Sequence, residues 1–463
     1  MASVVKRKNK YAVVYFYNDE KGKKRQKWET FNTKADAKNR KSQIEFEQST
    51  GDFIVPTAKT IRDLLEEYVS VYGVSTWALS TYDAHRRYID CYINPIIGDM
   101  KLCDVTPRVM DKFYKDLLKV KAKTRSYQSP DTCITPRTVR DVHKTLRNAF
   151  NQAVRWELMT RNPVLHANLP KHEPKPRDIW TVETLFKATE LCDDPVLSLA
   201  INLSFSCSLR AGEILGLTWD CVDISQESIE SGIASVHINK EIQRVSKKAL
   251  EILDKRDVVK IFPSIFNIKS TALPKKPTTT SLVLKSPKTK TSVRKVFLPK
   301  TVAEMLITRK QEIEEIKEFL GNEFTDHNLV FCNTWGRPLE NSFISTSLDS
   351  LIKEHNLPKV VFHSLRHSSI TYKLKINGGD VKSVQGDSGH SQARMVTDVY
   401  SHILDNDRQI NAQRFEKEFY SKDTEEKNNP QGNTVTLGER ETLLKLLDKP
   451  EMAALLKILA QNM

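Results

Sequence analysis

Residues 390–402 read HSQARMVTDVYSH, with Tyr400 ten residues after His390 and two before His402. Alone, a tyrosine in such a setting is most simply a packed aromatic with one hydrogen bond. Three other stretches widen what its hydroxyl could do. CSLRAGEILGL (207–217) sets Arg210 and Glu213 three apart at a helix start. SPKTKTSVRKVFLP (286–299) sets Lys288 and Lys290 in a basic turn between two strands. VVFHSLRHSSITYKL (360–374) sets His363 and Arg366 three apart.

Each has a plainer role taken singly. Arg210 and Glu213 can be a local helix ion pair of little energetic weight. Lysines in a turn are commonly solvated. His363 and His367 form an i, i+4 pair, but Ser364 stands where a metalloprotease helix would carry its glutamate, so HSLRH is not a zinc motif.

Jointly, two arginines, a lysine, two histidines and a tyrosine in one region describe phosphoryl transfer. Arginine forks grip phosphate oxygens and neutralise the charge that grows in the transition state. Histidine donors add to that cage. A lysine can protonate a departing 5′ oxygen. A phenol, with an ordinary pKa near about 10, needs cations and a proton acceptor before it attacks. Tyr400 is the candidate nucleophile, and the route is phosphoryl transfer through a covalent enzyme link, without metal.

The composition agrees with a nucleic-acid enzyme. The chain has 463 residues, net charge +14, 39% hydrophobic and 28% charged residues, enough to build several cores. The charge surplus favours a polyanion. No apolar run approaches the ~18 residues of a membrane span, and MASVVKRKNK lacks a leader's apolar core. The seven cysteines are scattered without a CxxC pair, as expected of reduced core residues in a cytosolic protein.

The elements that must position these groups fall into six segments. Residues 1–50 read as a strand (YAVVYFY), a turn, a strand (KWETF) and a helix capped by Thr33. This segment holds 13 lysines and arginines against 6 acids, with Lys23, Lys24 and Arg25 in the turn. Residues 51–59 are a linker. Residues 60–170 are helical, and TPRTVRDVHKTLRNAFNQAVRWELM carries Arg137, Arg140, Lys144 and Arg147 along one face, suited to phosphate contacts. Residues 171–180 are a second linker, with alternating charge and proline. Residues 181–420 mix helices with the strand-like runs IASVHI, SLVL and VRKVFL, and 243–280 reads as a basic, Pro/Thr-rich surface insertion. The tail, 421–463, ends in an amphipathic helical pattern.

In order, Arg210 in SLRAGEILGL, Lys290 in PKTKTSVRKVFLP, His363 and Arg366 in HSLRH, His390 in GHSQ and Tyr400 in VYSHI resemble the motif series of the tyrosine recombinases, the phage and conjugative-transposon integrases. The likeness is strong over 180–420 and extends to 60–170 as a helical core-binding domain. It reaches 1–50, more weakly, as an arm-type DNA-binding domain. It implies a multidomain chain: a small β-rich arm-binding domain, an all-α core-binding domain, and a mainly-α catalytic domain with a small β-sheet.

It also implies the steps. Tyr400 attacks the scissile phosphate to give a 3′-phosphotyrosine, and a partner strand's 5′ hydroxyl then attacks that link, with no cofactor. Glu213 would orient the Arg/His cage. Double-stranded DNA at core sites and separate arm sites, a homotetramer on the DNA, an excision factor and the cytoplasm of a bacterial host are the implied partners and setting. Two departures stand out: the ten-residue His-to-Tyr interval and the long 243–280 region, which leaves Lys288 competing with Lys290 as general acid. A type IB topoisomerase shares the chemistry, and a non-catalytic DNA-binding regulator could share the fold.

Overall fold

The computed structural model describes residues 2–18, 24–50, 59–123, 132–173, 178–263 and 278–400, together with residues 413 and 416. Two compact units are present, residues 1–392 and 393–463. The amphipathic tail, the 51–58 linker and Lys23 lie outside the described residues, as does part of the second linker.

The N-terminal module is a three-stranded antiparallel sheet, β1 (Ser3–Arg7), β2 (Lys10–Asn18) and β3 (Lys24–Phe31), in that order. The first strand was not anticipated from sequence. Alternation along β2 sends Val13 and Tyr15 to a small core shared with Ala37 and Ile44 of the helix Lys34–Thr50. Thr33 begins that helix as expected, its hydroxyl accepting from the Asp36 N–H at 3.1 Å. The other sheet face keeps Phe16 and Trp28 exposed, with Lys24 over the Phe16 ring at 5.3 Å and Arg7 over Trp28 at 5.0 Å. Arg25 pairs across the strands with Tyr17, on the opposite parity from Lys24.

Between residues 60 and 170 the described residues are mainly helical. Thr60 opens the first helix with a reciprocal cap to Asp63, and Thr106 and Thr135 cap helices whose first residues are Pro107 and Pro136. The helical run that begins at Leu79 takes in Pro95, in the opening turn of Asn94–Ile97, and ends at its cap Gly98. Pro136–Arg155 buries Val139, Val142, Leu146, Ala149, Phe150 and Ala153. Its opposite face carries the basic row: Arg137, Lys144 and Arg147 are exposed, while Arg140 is half-buried and donates to the Pro170 carbonyl at 3.1 Å. Lys144 also pairs with Asp141 at 3.2 Å.

The region beyond 180 contains two further three-stranded sheets. One orders β4 (Val222–Asp223), β5 (Ser235–Ile238) and β9 (Arg294–Phe297). The other orders β6 (Glu241–Ser246), β8 (Thr280–Lys285) and β7 (Val258–Phe262). The reading of 243–280 as a plain surface insertion is therefore corrected. Outside 264–277, which are not described, it supplies two strands and the helix Lys247–Ile252. Its apolar residues were hidden by intervening Lys and Thr. Val245, Ala249, Leu250, Leu253 and Val283 join the core of the 60–170 helices. There the Asp83 carboxylate accepts from the Ser246 N–H at 2.9 Å and from its hydroxyl at 2.5 Å.

Asp83→Ala leaves both Ser246 donors without that acceptor. A loss of about 1–2 kcal/mol is expected, read as an earlier denaturant midpoint by near-ultraviolet circular dichroism. An unchanged midpoint would show that the contact carries no weight.

The cysteine expectation holds only in part. All seven are free thiols; Cys207, Cys221 and Cys332 are buried, whereas Cys103 and Cys133 are exposed. Among the described residues no helix is long and apolar enough to cross a membrane.

Candidate active site

Four segments of the first unit meet around one carboxylate. Arg210 ends the turn before the helix Ala211–Leu215, and Glu213 lies in that helix's first turn, 1% exposed. The approach is close: a side chain at Gly216 would meet the Glu241 Cα of β6 at 2.7 Å. Glu213 Oε2 accepts from the Arg210 N–H at 3.0 Å, and Oε1 from Arg210 Nη1 at 2.6 Å. So the pair is a buried anchor for the Arg210 side chain, not the solvated helix pair of the plainer reading.

Arg294 reaches the same carboxylate from β9, Nη1 at 3.2 Å from Oε1 and Nη2 at 3.0 Å from Oε2. Sequence reasoning did not single it out. Two guanidinium groups hold the Glu213 carboxyl below the usual range against the upward push of its burial.

The helix Phe362–Ile376 supplies His363 and Arg366. Arg366 is 1% exposed and has no carboxylate partner among the described residues. It donates to the Ser208 carbonyl, to the Ser388 carbonyl at 2.5 Å, and to His390 Nε2 at 3.3 Å. Ser208 adopts a positive φ of 54° in a fully buried turn. That is a costly conformation for a side-chain-bearing residue, and its carbonyl caps Arg366. Burial first, and Arg210 second, push the Arg366 pKa down to about 9, so it keeps its charge at neutral pH.

His390 follows Gly389, a left-handed helix cap at φ +62°. Because Arg366 can only donate, His390 Nε2 is the acceptor, and Nδ1 carries the proton toward the Ser388 hydroxyl at 2.8 Å. Burial and then the cations Arg366 and Arg210 lower its pKa to about 3, which keeps the ring neutral. The His363 and His367 rings stand edge to face at 4.8 Å, His363 exposed, and both also act on His390. Among the described residues no group of three His, Cys, Asp or Glu side chains is gathered to hold a metal ion.

Arg210, Glu213, His363, Arg366 and His390 are thus brought together. The Lys290 backbone belongs to the short turn Lys290–Ser292, and its side chain lies outside the described residues. That turn is not a hairpin tip: it links β8 of one sheet to β9 of another. Lys288 lies just before it and is exposed. Tyr400 closes the helix Arg394–Tyr400 in the second unit, and its side chain is likewise outside the described residues.

The cluster can bind an oxyanion. Three guanidinium groups gather here: Arg210 and Arg294 bond the Glu213 carboxylate, and Arg366 beside them bonds only carbonyls and His390. The neighbouring Asp387 is already paired with Lys373 at 2.5 Å. A buried site with surplus positive charge is costly unless an anion enters it.

The sequence model of the phage integrase family matches residues 276–407, and that of the phage integrase N-terminal SAM-like domain matches residues 60–118. The chain is a tyrosine recombinase of the phage integrase family. The larger match spans Lys290, His363, Arg366, His390 and Tyr400, while Arg210 and Glu213 lie before it.

This integrase is 24% identical over 388 residues to the ICEBs1 integrase of Bacillus subtilis, covering 82% of this chain and 90% of that protein. A XerC-like tyrosine recombinase of Caldanaerobacter subterraneus subsp. tengcongensis is 23% identical over 333 residues, covering 70% and 73%. In fold the integrase is similar to the Tn1549 transposon integrase, solved in complex with a circular intermediate DNA. The TM-score is 0.57 at 16% identity, over 77% of this chain and 99% of that one.

Proposed function

We propose that the integrase cuts and rejoins double-stranded DNA at specific sites of a mobile element, through a 3′-phosphotyrosine on Tyr400. The observation that carries this reading is the surplus of buried guanidinium around Glu213, a charge arrangement suited to a phosphodiester that becomes more negative in the transition state. In the first step the phenolic proton of Tyr400 passes to solvent, the Tyr400 oxygen bonds to phosphorus, and the bond to the 5′ oxygen breaks. That oxygen takes its electron pair and a proton from Lys290, which we favour over Lys288. Arg210 and Arg366 hold the non-bridging oxygens, with His363 and His390 beside them. The partner strand's 5′ hydroxyl reverses the chemistry. Bond energy is kept in the phosphotyrosine, so neither ATP nor a cofactor enters the cycle.

The domain reading supports the same function. Residues 1–50 would contact arm sites through the open sheet face bearing Phe16, Trp28, Arg7 and Lys24, with Lys23 and Arg25 as neighbouring candidates. Residues 60–170 would grip the core site, Arg137, Lys144 and Arg147 facing phosphates and Arg140 tied to the Pro170 carbonyl. Residues 181–420 would be catalytic, and the 421–463 tail would join protomers. Exchange between two duplexes calls for four protomers on the DNA, acting in the bacterial cytoplasm, with an excision factor to set direction.

The test is exchange between two duplexes carrying the element's end and target sites, in chelator and without ATP. Recombinant joints are the expected product. Relaxation of supercoils with no joint between sites would point instead to a topoisomerase-like activity.

A further inference from the structure

We propose that Arg294 is a positioning residue that sets the Lys290 turn against the Arg210–His390 cluster. This rests on the strand-transfer reading above and adds a residue to it. All three Arg294 nitrogens are used, and each kind of bond reaches a different segment. Nη1 and Nη2 fork onto Glu213, the same carboxylate that anchors Arg210. Nε donates to the Asp387 carbonyl at 2.6 Å, at the end of the helix that leads into His390. Nη1 also donates to the Ser292 carbonyl at 2.9 Å, the last residue of the Lys290 turn.

The packing leaves little freedom. The Arg294 side chain is 6% exposed and Glu213 1%. A Cβ at Gly389 would lie 3.0 Å from Arg294 Nη1 and 3.1 Å from the Thr291 carbonyl of the same turn. The Ser292 N–H closes the turn on Thr289 at 3.0 Å. One planar, buried fork thus fixes the spacing between the proposed general acid's turn and the proposed phosphate cage. A lysine's ammonium cannot reproduce a two-pronged grip on a carboxylate.

The assay is single-turnover cleavage of a nicked suicide duplex, read as covalent adduct on a denaturing gel, with DNA affinity measured separately. Ordinary DNA is compared with DNA whose scissile 5′ oxygen is replaced by sulfur. A thiolate leaves without a proton, since thiols ionise near about 8.5, so the sulfur substrate bypasses the general acid. On ordinary DNA, Arg294→Ala should slow cleavage about a hundredfold while DNA affinity changes less than about threefold. With sulfur, the deficits of Arg294→Ala and Lys290→Ala should both shrink to about tenfold or less, while that of Arg210→Ala persists.

A native rate for Arg294→Ala, or a deficit equal on both substrates, overturns the proposal. Should Arg294→Ala fail to fold, Arg294→Lys keeps a cation beside Glu213 and carries the same comparison. Wild-type protein that forms no adduct on either DNA sinks the strand-transfer reading itself, and this inference with it. Adduct from both wild type and variant at one rate sinks the inference alone.

Discussion

Tyr400→Phe should form no covalent adduct with DNA, while duplex affinity stays within about twofold of wild type, because one hydroxyl contributes little to a phosphate-dominated interface. Phenylalanine keeps the ring and removes only the attacking oxygen. Loss of a nucleophile can cost on the order of 10⁶ in rate, so the adduct band should vanish in any gel assay. The measurement is denaturing electrophoresis after incubation with a nicked suicide duplex, paired with an equilibrium binding titration. Undiminished adduct from the variant would assign the nucleophile elsewhere. Among hydroxyl-bearing residues near the cluster, Ser208 and Ser388 are fully buried and already bonded, which leaves them poorly placed to attack.

The second large effect belongs to Arg366. Arg366→Ala should slow first-strand cleavage by about 10²–10³-fold or more, the cost of one preorganised charge at the point where negative charge develops. The Ser208 and Ser388 carbonyls would also lose their shared donor. To separate electrostatics from support of the turn, Arg366→Lys is the companion. It keeps a charge but not the fork, and should recover only about tenfold of the loss. The readout is the single-turnover cleavage rate at saturating DNA. An Arg366→Ala rate within a few-fold of wild type would remove this guanidinium from the reacting phosphate.

Much of the candidate site was legible because its residues come in local pairs. Arg210 with Glu213, and His363 with Arg366, are three apart, so a helix cap puts the first pair together and the helix period the second. What their spacing could not show is that Glu213 is shared. Arg294 sits in a run where lysines and arginines are frequent, and charge hid it. Yet the alternation R-K-V-F-L carried a signal: Arg294, Val296 and Leu298 are buried, while Lys295 and Phe297 are exposed. A charged residue on the inward parity of a strand must have a partner inside.

The fold shows the same limit. The strands after residue 233 were anticipated from β-branched runs, and Lys290's turn between two of them, but not that the turn joins two sheets. Which strand pairs with which is a matter of register across distant segments, and β8 and β9 belong to different sheets. The 241–262 strands and helix escaped for another reason. Their apolar residues are spaced to meet the 60–170 helices, a core that local composition does not reveal.

The account's central claim is that Arg210 and Arg366 enclose the scissile phosphate. The most direct measurement is the structure of Tyr400→Phe bound to a duplex carrying the cleavage site. The prediction is that one phosphate's non-bridging oxygens lie within about 3 Å of both guanidinium groups, with the residue-400 ring beside the phosphorus and in line with the 5′ oxygen. A DNA backbone that passes outside the cluster, with the site of cleavage touching neither arginine, would contradict it.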